Sequence, residues 1–140
     1  VVQSMIDFTR QRNKDMEVVV MRNFSESSII NFNLGRRVAH TTALADLMNQ
    51  NKNAIAVFPK RNMKIDFFQR YGFHLESRCF IPSELKDMYT SIDKDGIDTV
   101  FLDPYICFSS YQMICVEEFC SGVVTRDMHN KNGFLLVKLG

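Results

Sequence analysis

Features that would place this protein in or across a membrane are missing from its sequence. There is no run of about 18 apolar residues, and the chain does not open with a charged segment followed by an apolar stretch. We therefore expect neither a membrane span nor a secretory signal, and a cytoplasmic or nuclear location. The chain begins with Val1 rather than Met, within a helical pattern, which suggests that a natural N-terminal segment precedes it.

Cysteine patterns typical of metal or redox sites are also lacking. The four cysteines, Cys79, Cys107, Cys115 and Cys120, form no C-x-x-C pair and have no histidine at the spacing of a zinc site. Thiols buried in a hydrophobic core are the simpler interpretation. The sequence contains no internal repeat, and 140 residues with 46% apolar content suit one domain, 1–140, and are too few for two.

Charge is small overall but unevenly distributed. The formal net charge is +1, yet residues 1–64 contain ten Lys and Arg against five Asp and Glu, whereas residues 65–140 contain seven against eleven. A basic half is suited to binding a polyanion, although solvated charged faces explain the division about as easily. The basic side chains available for such a surface are Arg36, Arg37, Lys60, Arg61 and Lys64.

Short apolar runs alternate with amphipathic segments along the chain. The runs EVVVM (17–21) and AIAVF (54–58) lack the alternation of half-exposed strands, so they indicate strands buried on both faces. Amphipathic patterns predict helices over 1–12 and 40–49. This order predicts an α/β domain with a mostly parallel central sheet. Further strands are predicted at 98–102 (DTVFL), 122–125 (GVVT) and 133–139 (GFLLVKL).

The middle of the chain is less regular. Residues 63–71 are predicted to form a short helix that ends at Gly72. Apolar and polar residues then alternate over 73–81, which predicts a half-exposed strand in an added hairpin or arm.

An acidic residue follows the predicted strand GVVT. The stretch GVVTRDMHN (122–130) places Asp127 just after that strand, and parallel α/β sheets bind their ligands at the carboxyl ends of strands. Asp127 is therefore the first candidate for a residue that takes part in chemistry.

The order of these segments resembles the NYN ribonuclease domain of the regnase family, a branch of the PIN-like nucleases. The resemblance rests on HTTALADLM running into AIAVFP and on SSYQMICVEEFCSGVVTRDMHN, and it covers roughly residues 1–60 and 105–131. Residues 61–104 are an insertion in this comparison. The resemblance implies a three-layer α/β/α domain, an acidic site at the carboxyl ends of the strands, Mg²⁺ as cofactor, and cleavage of single-stranded or stem-loop RNA.

The family's acidic pattern is only partly kept in this chain. Asp127 matches the acid that follows a strand, so the resemblance implies that it is catalytic and binds the metal. The family's acidic pair falls on Ser109 and Ser110, a further acid falls on Lys131, and the first strand would precede the chain. Since Mg²⁺ relies on carboxylate ligands, we expect cleavage to be weakened or lost. The substitutes for a missing ligand are Asp98 and Asp103.

Three hypotheses about function remain at this point. The first is an RNA-binding PIN-like endoribonuclease-type domain with weak or lost catalysis, and the second is an intact nuclease whose first strand lies upstream. The third is a non-catalytic module that docks a protein through aromatic residues of the insertion. The residues predicted to bind RNA are Arg36, Arg37, Lys60, Arg61, Ser109, Ser110 and Arg126. The aromatic residues proposed for that docking surface are Phe67, Phe68, Tyr71, Phe73 and Phe80.

Overall fold

A parallel β-sheet forms the centre of the protein. The computed structural model describes residues 2–15, 29–32, 37–91, 97–126 and 134–140. Within these ranges five strands form one sheet in the order β1-β5-β4-β2-β3, and every pair of neighbours is parallel. The strands are β1 (Ile29–Phe32), β2 (Ala54–Val57), β3 (Cys79–Phe80), β4 (Thr99–Leu102) and β5 (Leu135–Leu139). The predicted α/β class with a parallel sheet is confirmed.

Helices cover both faces of this sheet and make it the middle of three layers. The helices are α1 (Val2–Asp15), α2 (Arg37–Gln50), α3 (Arg61–Tyr71), α4 (Pro82–Ser91) and α5 (Ser110–Arg126). Side chains of α1, α2 and α3 pack in one buried cluster, and side chains of α4 and α5 pack in another. None of the helices in the described ranges is long and apolar enough to cross a membrane.

The strands divide their side chains between the two clusters by simple alternation. In β2, Ala54 and Ala56 face the layer of α1, α2 and α3, while Ile55 and Val57 face the layer of α4 and α5. All four are buried. A strand that is buried on both faces needs a continuous apolar run, which is why AIAVF was recognisable from the sequence.

A glycine terminates α3 as predicted. Gly72 has φ of 135°, and its N–H donates to the carbonyl of Phe68 at 2.9 Å. A Cβ at this position would lie 2.5 Å from the His74 ring. Both the positive φ and the close ring therefore favour glycine.

The predicted strand at GVVT is wrong, because residues 122–125 belong to α5. The buried side chains Val116, Phe119, Cys120 and Val123 are spaced i, i+3, i+4 and i+7, and together they cover one face of the sheet. Packing of this helical stripe outweighs the strand preference of two adjacent valines, which amounts to only a few tenths of a kcal/mol per residue.

The half-exposed strand predicted over 73–81 is also wrong. Residues Phe73–Arg78 form a 3₁₀ turn, and only the two residues of β3 pair with β2. The Arg78 guanidinium donates to the carbonyls of Met48, Asn51 and Ala54 at 2.9, 2.6 and 2.9 Å. These bonds attach the turn to the end of α2 and the start of β2, which an isolated hairpin would not allow.

Residues 61–104 are integrated into the sheet rather than forming a separate arm. They contribute α3, β3, α4 and β4, and β4 lies between β2 and β5 near the centre of the sheet. Helices 1–12 and 40–49 and the strands at 54–58, 98–102 and 133–139 are confirmed, with bounds shifted by a few residues. The predicted strand EVVVM (17–21) lies outside the described residues.

Candidate functional site

The two central strands β2 and β4 mark the point where the chain changes face. After β2 the chain enters α3 on one face of the sheet, and after β4 it enters α5 on the other face. In open parallel sheets such a divergence leaves a crevice beyond the carboxyl ends of the two strands, where ligands bind. We call the space between residues 58–60 and residues 103–109 the switch-point crevice.

One side of the crevice is basic. Lys60 is the N-cap of α3 and Arg61 is its first residue, and both side chains are exposed. Because a lysine side chain carries only donors, it makes no capping hydrogen bond to the first turn. The positive end of the helix dipole and two cationic side chains therefore coincide, which is an arrangement suited to phosphate.

Lys64, one turn further along α3, is already engaged. Its ammonium lies 3.0 and 3.1 Å from the carboxylate oxygens of Glu84, and the Ile81 N–H donates to the same carboxylate at 2.9 Å. Burial works against ionisation of Glu84, but these two partners outweigh it and the pKa of Glu84 is lowered. Lys64 thus joins α3 to α4 and is the weakest member of the basic set predicted from the sequence.

Ser109 and Gln112 form a capping box on the other side of the crevice. The Gln112 N–H donates to Ser109 Oγ at 3.2 Å, and the Ser109 N–H donates to Gln112 Oε1 at 2.9 Å. Gln112 Nε2 also donates to the Pro59 carbonyl at 2.8 Å. The Gln112 side chain therefore spans the crevice from α5 to the end of β2, and Ser109 acts as a helix cap next to the exposed Ser110.

Asp103 lies at the base of the crevice, directly after β4. Only 3% of its surface is exposed, and its N–H donates to the Val57 carbonyl at 3.3 Å. Among the described residues, none donates a hydrogen bond to its carboxylate. Burial raises the pKa of Asp103 to about 6. Buried carboxyl groups without a protein donor are uncommon. At the ligand-binding edge of an α/β sheet, such a group is often part of a binding or catalytic site.

The alternation of side chains along β4 predicts which face of the sheet the side chain of Asp103 takes. Along β4, Val100 and Leu102 pack toward α5, whereas Phe101 packs in the cluster of α1, α2 and α3. If the alternation continues by one residue, as the backbone bond from Asp103 to Val57 indicates, Asp103 takes the side of Phe101. The carboxylate and the basic helix start therefore share one side of the crevice.

Exposed apolar residues continue from the crevice along the start of α5. Tyr111, Ile106 and Ile114 are 68, 78 and 52% exposed. Ile106 and Ile114, together with Tyr105 and Phe108, border an open groove of about 440 Å³. Flat or branched apolar side chains beside a basic helix start are the combination that binds single-stranded nucleic acid, where bases stack and phosphates pair with cations.

Other residues predicted from the sequence lie elsewhere or outside the described residues. Arg126 is the last residue of α5, which runs back from β4 to the start of β5, so it lies at the amino edge of the sheet, opposite the crevice. Arg37 begins α2 after β1, and β1 is separated from β2 by β5 and β4. The predicted residues outside the described ranges are Arg36, Asp127 and Lys131.

Asp98 and Asp103 do not form a common acidic site. Asp98 precedes β4 and its carboxylate lies 3.2 Å from the Arg10 guanidinium, while Asp103 follows the same strand. Five residues of extended chain separate the two by roughly 16 Å. In the described ranges no three or more His, Cys, Asp or Glu side chains are grouped as they would be to hold a metal ion.

Cysteines and aromatic residues of the middle segment mostly contribute to packing. Cys79, Cys115 and Cys120 are buried free thiols, and Cys107 is an exposed one. Of the five aromatic residues proposed for docking, two are fully buried, two are partly buried and pack against the clusters, and one is 65% exposed. In that order they are Phe67 and Phe68, Tyr71 and Phe80, and Phe73. Among these five residues, one exposed ring is left of the docking surface predicted for 61–104.

The fold and the crevice together define a doubly wound α/β domain with a candidate ligand site at the point where its chain direction changes. No protein-family model, characterised protein or solved structure gives a significant match to this chain.

Proposed function

We propose that this chain is an RNA-binding α/β domain that holds single-stranded RNA at the carboxyl edge of its sheet. The observation that carries the proposal is the convergence of Lys60, Arg61 and the start of α3 at the switch-point crevice. Backbone phosphates bind there through charge and through helix N–H groups.

The exposed apolar residues of α5 supply the second element of this binding mode. Tyr111 is exposed within one turn of Ser110, beside the groove bordered by Ile106 and Ile114. A base stacked on an aromatic side chain contributes about 1–3 kcal/mol in single-strand complexes. A single RNA strand would then cross the carboxyl edge of the sheet, with its phosphates at the start of α3 and its bases at α5. Arg36 and Arg37, predicted from the sequence to bind RNA, remain a further part of the proposal.

Metal-dependent cleavage is the weaker part of the resemblance to PIN-like nucleases. The strand that was to present Asp127 is instead the end of α5, and the described residues contain no cluster of carboxylates for Mg²⁺. The donor set described for this chain therefore does not fit a Mg²⁺ site, and no catalytic step is derived through one. We expect RNA binding with little or no Mg²⁺-dependent cleavage.

The binding proposal is tested with Lys60→Ala/Arg61→Ala and a labelled single-stranded RNA. Fluorescence anisotropy between 50 and 200 mM salt should show weaker binding and a log K against log salt slope that is smaller by about 1.4, since each phosphate contact contributes about 0.7. The matched control is Lys52→Ala/Arg70→Ala, which removes two exposed cations near the opposite edge. An equal loss in both double variants, or none in either, would contradict a site at the crevice.

Cleavage is tested on the same labelled RNA with Mg²⁺ or Mn²⁺ added. The comparison includes Asp127→Asn and the double change Ser109→Asp/Ser110→Asp. Robust cleavage that disappears in Asp127→Asn would show that a carboxylate site exists and that the expected loss of catalysis is wrong.

A further inference from the structure

Asp103 takes no part in the proposed contacts to phosphates and bases. Its buried carboxylate nevertheless calls for a hydrogen-bond donor. A buried carboxylate accepts hydrogen bonds through two oxygens, and leaving them without donors is costly. None of the described residues, Lys60 and Arg61 included, supplies such a donor. A ligand in the switch-point crevice that carries a hydrogen-bond donor would remove this cost.

The phosphates of a nucleic acid strand offer no donor at neutral pH, whereas the sugar can. Within an RNA strand the 3′ oxygen is esterified, so the 2′-hydroxyl is the donor on the sugar, and DNA lacks it. The Asp103 backbone bonds to Val57, three residues before Lys60. Since β2 and β4 are neighbouring strands, about 4.8 Å apart, the phosphate and the sugar of one nucleotide suit the start of α3 and the end of β4.

We infer that Asp103 is a specificity-determining residue that accepts a hydrogen bond from the 2′-hydroxyl of one nucleotide in the switch-point crevice, so that the domain prefers RNA to DNA. The inference rests on the proposed binding of single-stranded RNA at this edge. It adds the class of sugar and the residue that recognises it.

Access to Asp103 involves the side chain of Gln112. Only 3% of Asp103 is exposed, and the Gln112 side chain spans the same crevice by its bond to the Pro59 carbonyl. The sugar enters where this bridge now lies, and the Gln112 amide is then free to bond to the ligand instead. At pH 7.5 the Asp103 carboxyl is mostly ionised, because its pKa is raised only to about 6, and an ionised acceptor forms the stronger bond.

The first experiment uses one short, non-repetitive sequence. It compares RNA, DNA and 2′-O-methyl RNA with a series of RNAs that each carry a single deoxynucleotide, at successive positions. RNA should bind about tenfold to a hundredfold more tightly than DNA or 2′-O-methyl RNA, the range expected for one hydrogen bond to a charged group. In the deoxy series one position should account for most of the loss. A loss spread evenly over all positions would overturn the inference, because it would reflect the general shape of the strand.

The second experiment repeats the measurements with Asp103→Ala and Asp103→Asn. In Asp103→Ala the RNA and DNA affinities should become equal, while DNA binding stays the same or improves because a negative charge near the phosphates is gone. Asp103→Asn keeps a neutral acceptor and should retain part of the preference. A preference for RNA that is unchanged in both variants would overturn the assignment of Asp103.

Failure of the inference can be told apart from failure of the proposed function. If the protein binds neither RNA nor DNA, the proposed function fails. If it binds both equally, with affinity that depends on Lys60 and Arg61, the proposed function stands and the role of Asp103 is refuted. Should Asp103→Ala not fold, the single-deoxy series on the unmodified protein and the Asp103→Asn variant still decide the question.

Discussion

Replacing Asp103 by Asn should make the protein more stable at neutral pH. The carboxyl group is buried without a described donor, and its pKa is raised from 3.8 to about 6. The folded state therefore holds the proton more strongly than the unfolded state does, and the free energy of unfolding falls as pH rises from about 4 to about 6. Two pKa units at 1.36 kcal/mol per unit give a cost of about 3 kcal/mol at pH 7. The neutral amide avoids that cost.

The assay is urea unfolding of both proteins at pH 4, 5, 6 and 7. The two should be nearly equal in stability at pH 4, and Asp103→Asn should be more stable at pH 7 by up to about 3 kcal/mol. Other groups whose ionisation changes on folding, such as Glu84, act in both proteins and cancel in the difference. Asp46→Asn serves as the matched control, because Asp46 is an exposed residue of α2, and its difference should stay small at every pH.

A difference between the two proteins that does not vary with pH would refute this reasoning. So would a variant that is less stable than the original at pH 7, because it would mean that the ionised carboxylate has a stabilising partner in the folded protein. In that case the argument that Asp103 awaits a donor from a ligand would also fail.

Three further predictions concern the packing that holds the crevice in place. Arg78→Lys should lower the free energy of unfolding by about 2–4 kcal/mol in urea titrations, because a lysine cannot keep all three carbonyl bonds of 2.6–2.9 Å; a loss below about 0.5 kcal/mol would contradict it. Glu84→Gln should cost up to about 1 kcal/mol at pH 7. Because the folded pKa of Glu84 is lowered, that cost should vanish as pH falls through and below the ordinary carboxyl range, and a constant cost would disprove the role of the charge. Phe101→Ala should cost about 3–5 kcal/mol, since the ring is fully buried in the cluster of α1, α2 and α3. An unchanged midpoint of thermal unfolding would be incompatible with this.

Local chemistry made several elements predictable from the sequence. AIAVF and DTVFL are short apolar runs, and a strand covered by helices on both faces requires such a run. Gly72 ends α3 because a helix can finish in a positive φ that glycine adopts without strain. Ser109 could be recognised as a cap because serine accepts hydrogen bonds from the first turn of a helix. Each of these depends on residues within about one turn of each other.

Asp103 shows where local chemistry stops being informative. Its neighbours in the sequence, Leu102 and Pro104, mark only the end of a strand. Its burial results from pairing with strands distant in the chain, β2 on one side and β5 on the other. From the sequence alone, Asp103 could be proposed only as a substitute for a missing metal ligand. In the folded protein it lies at the base of the crevice.

The sequence by itself determined that this chain forms an α/β domain, because buried strands and amphipathic helices follow from the spacing of apolar residues. Only the tertiary structure decided that GVVT is helical, since Val123 gains more from packing on the sheet with Phe119 than it loses in intrinsic preference. The tertiary structure also decided which loops meet. The order β1-β5-β4-β2-β3 brings Lys60 and Asp103 to one crevice although 43 residues separate them in the chain, because strand order depends on contacts between distant segments and not on the residues next to either side chain.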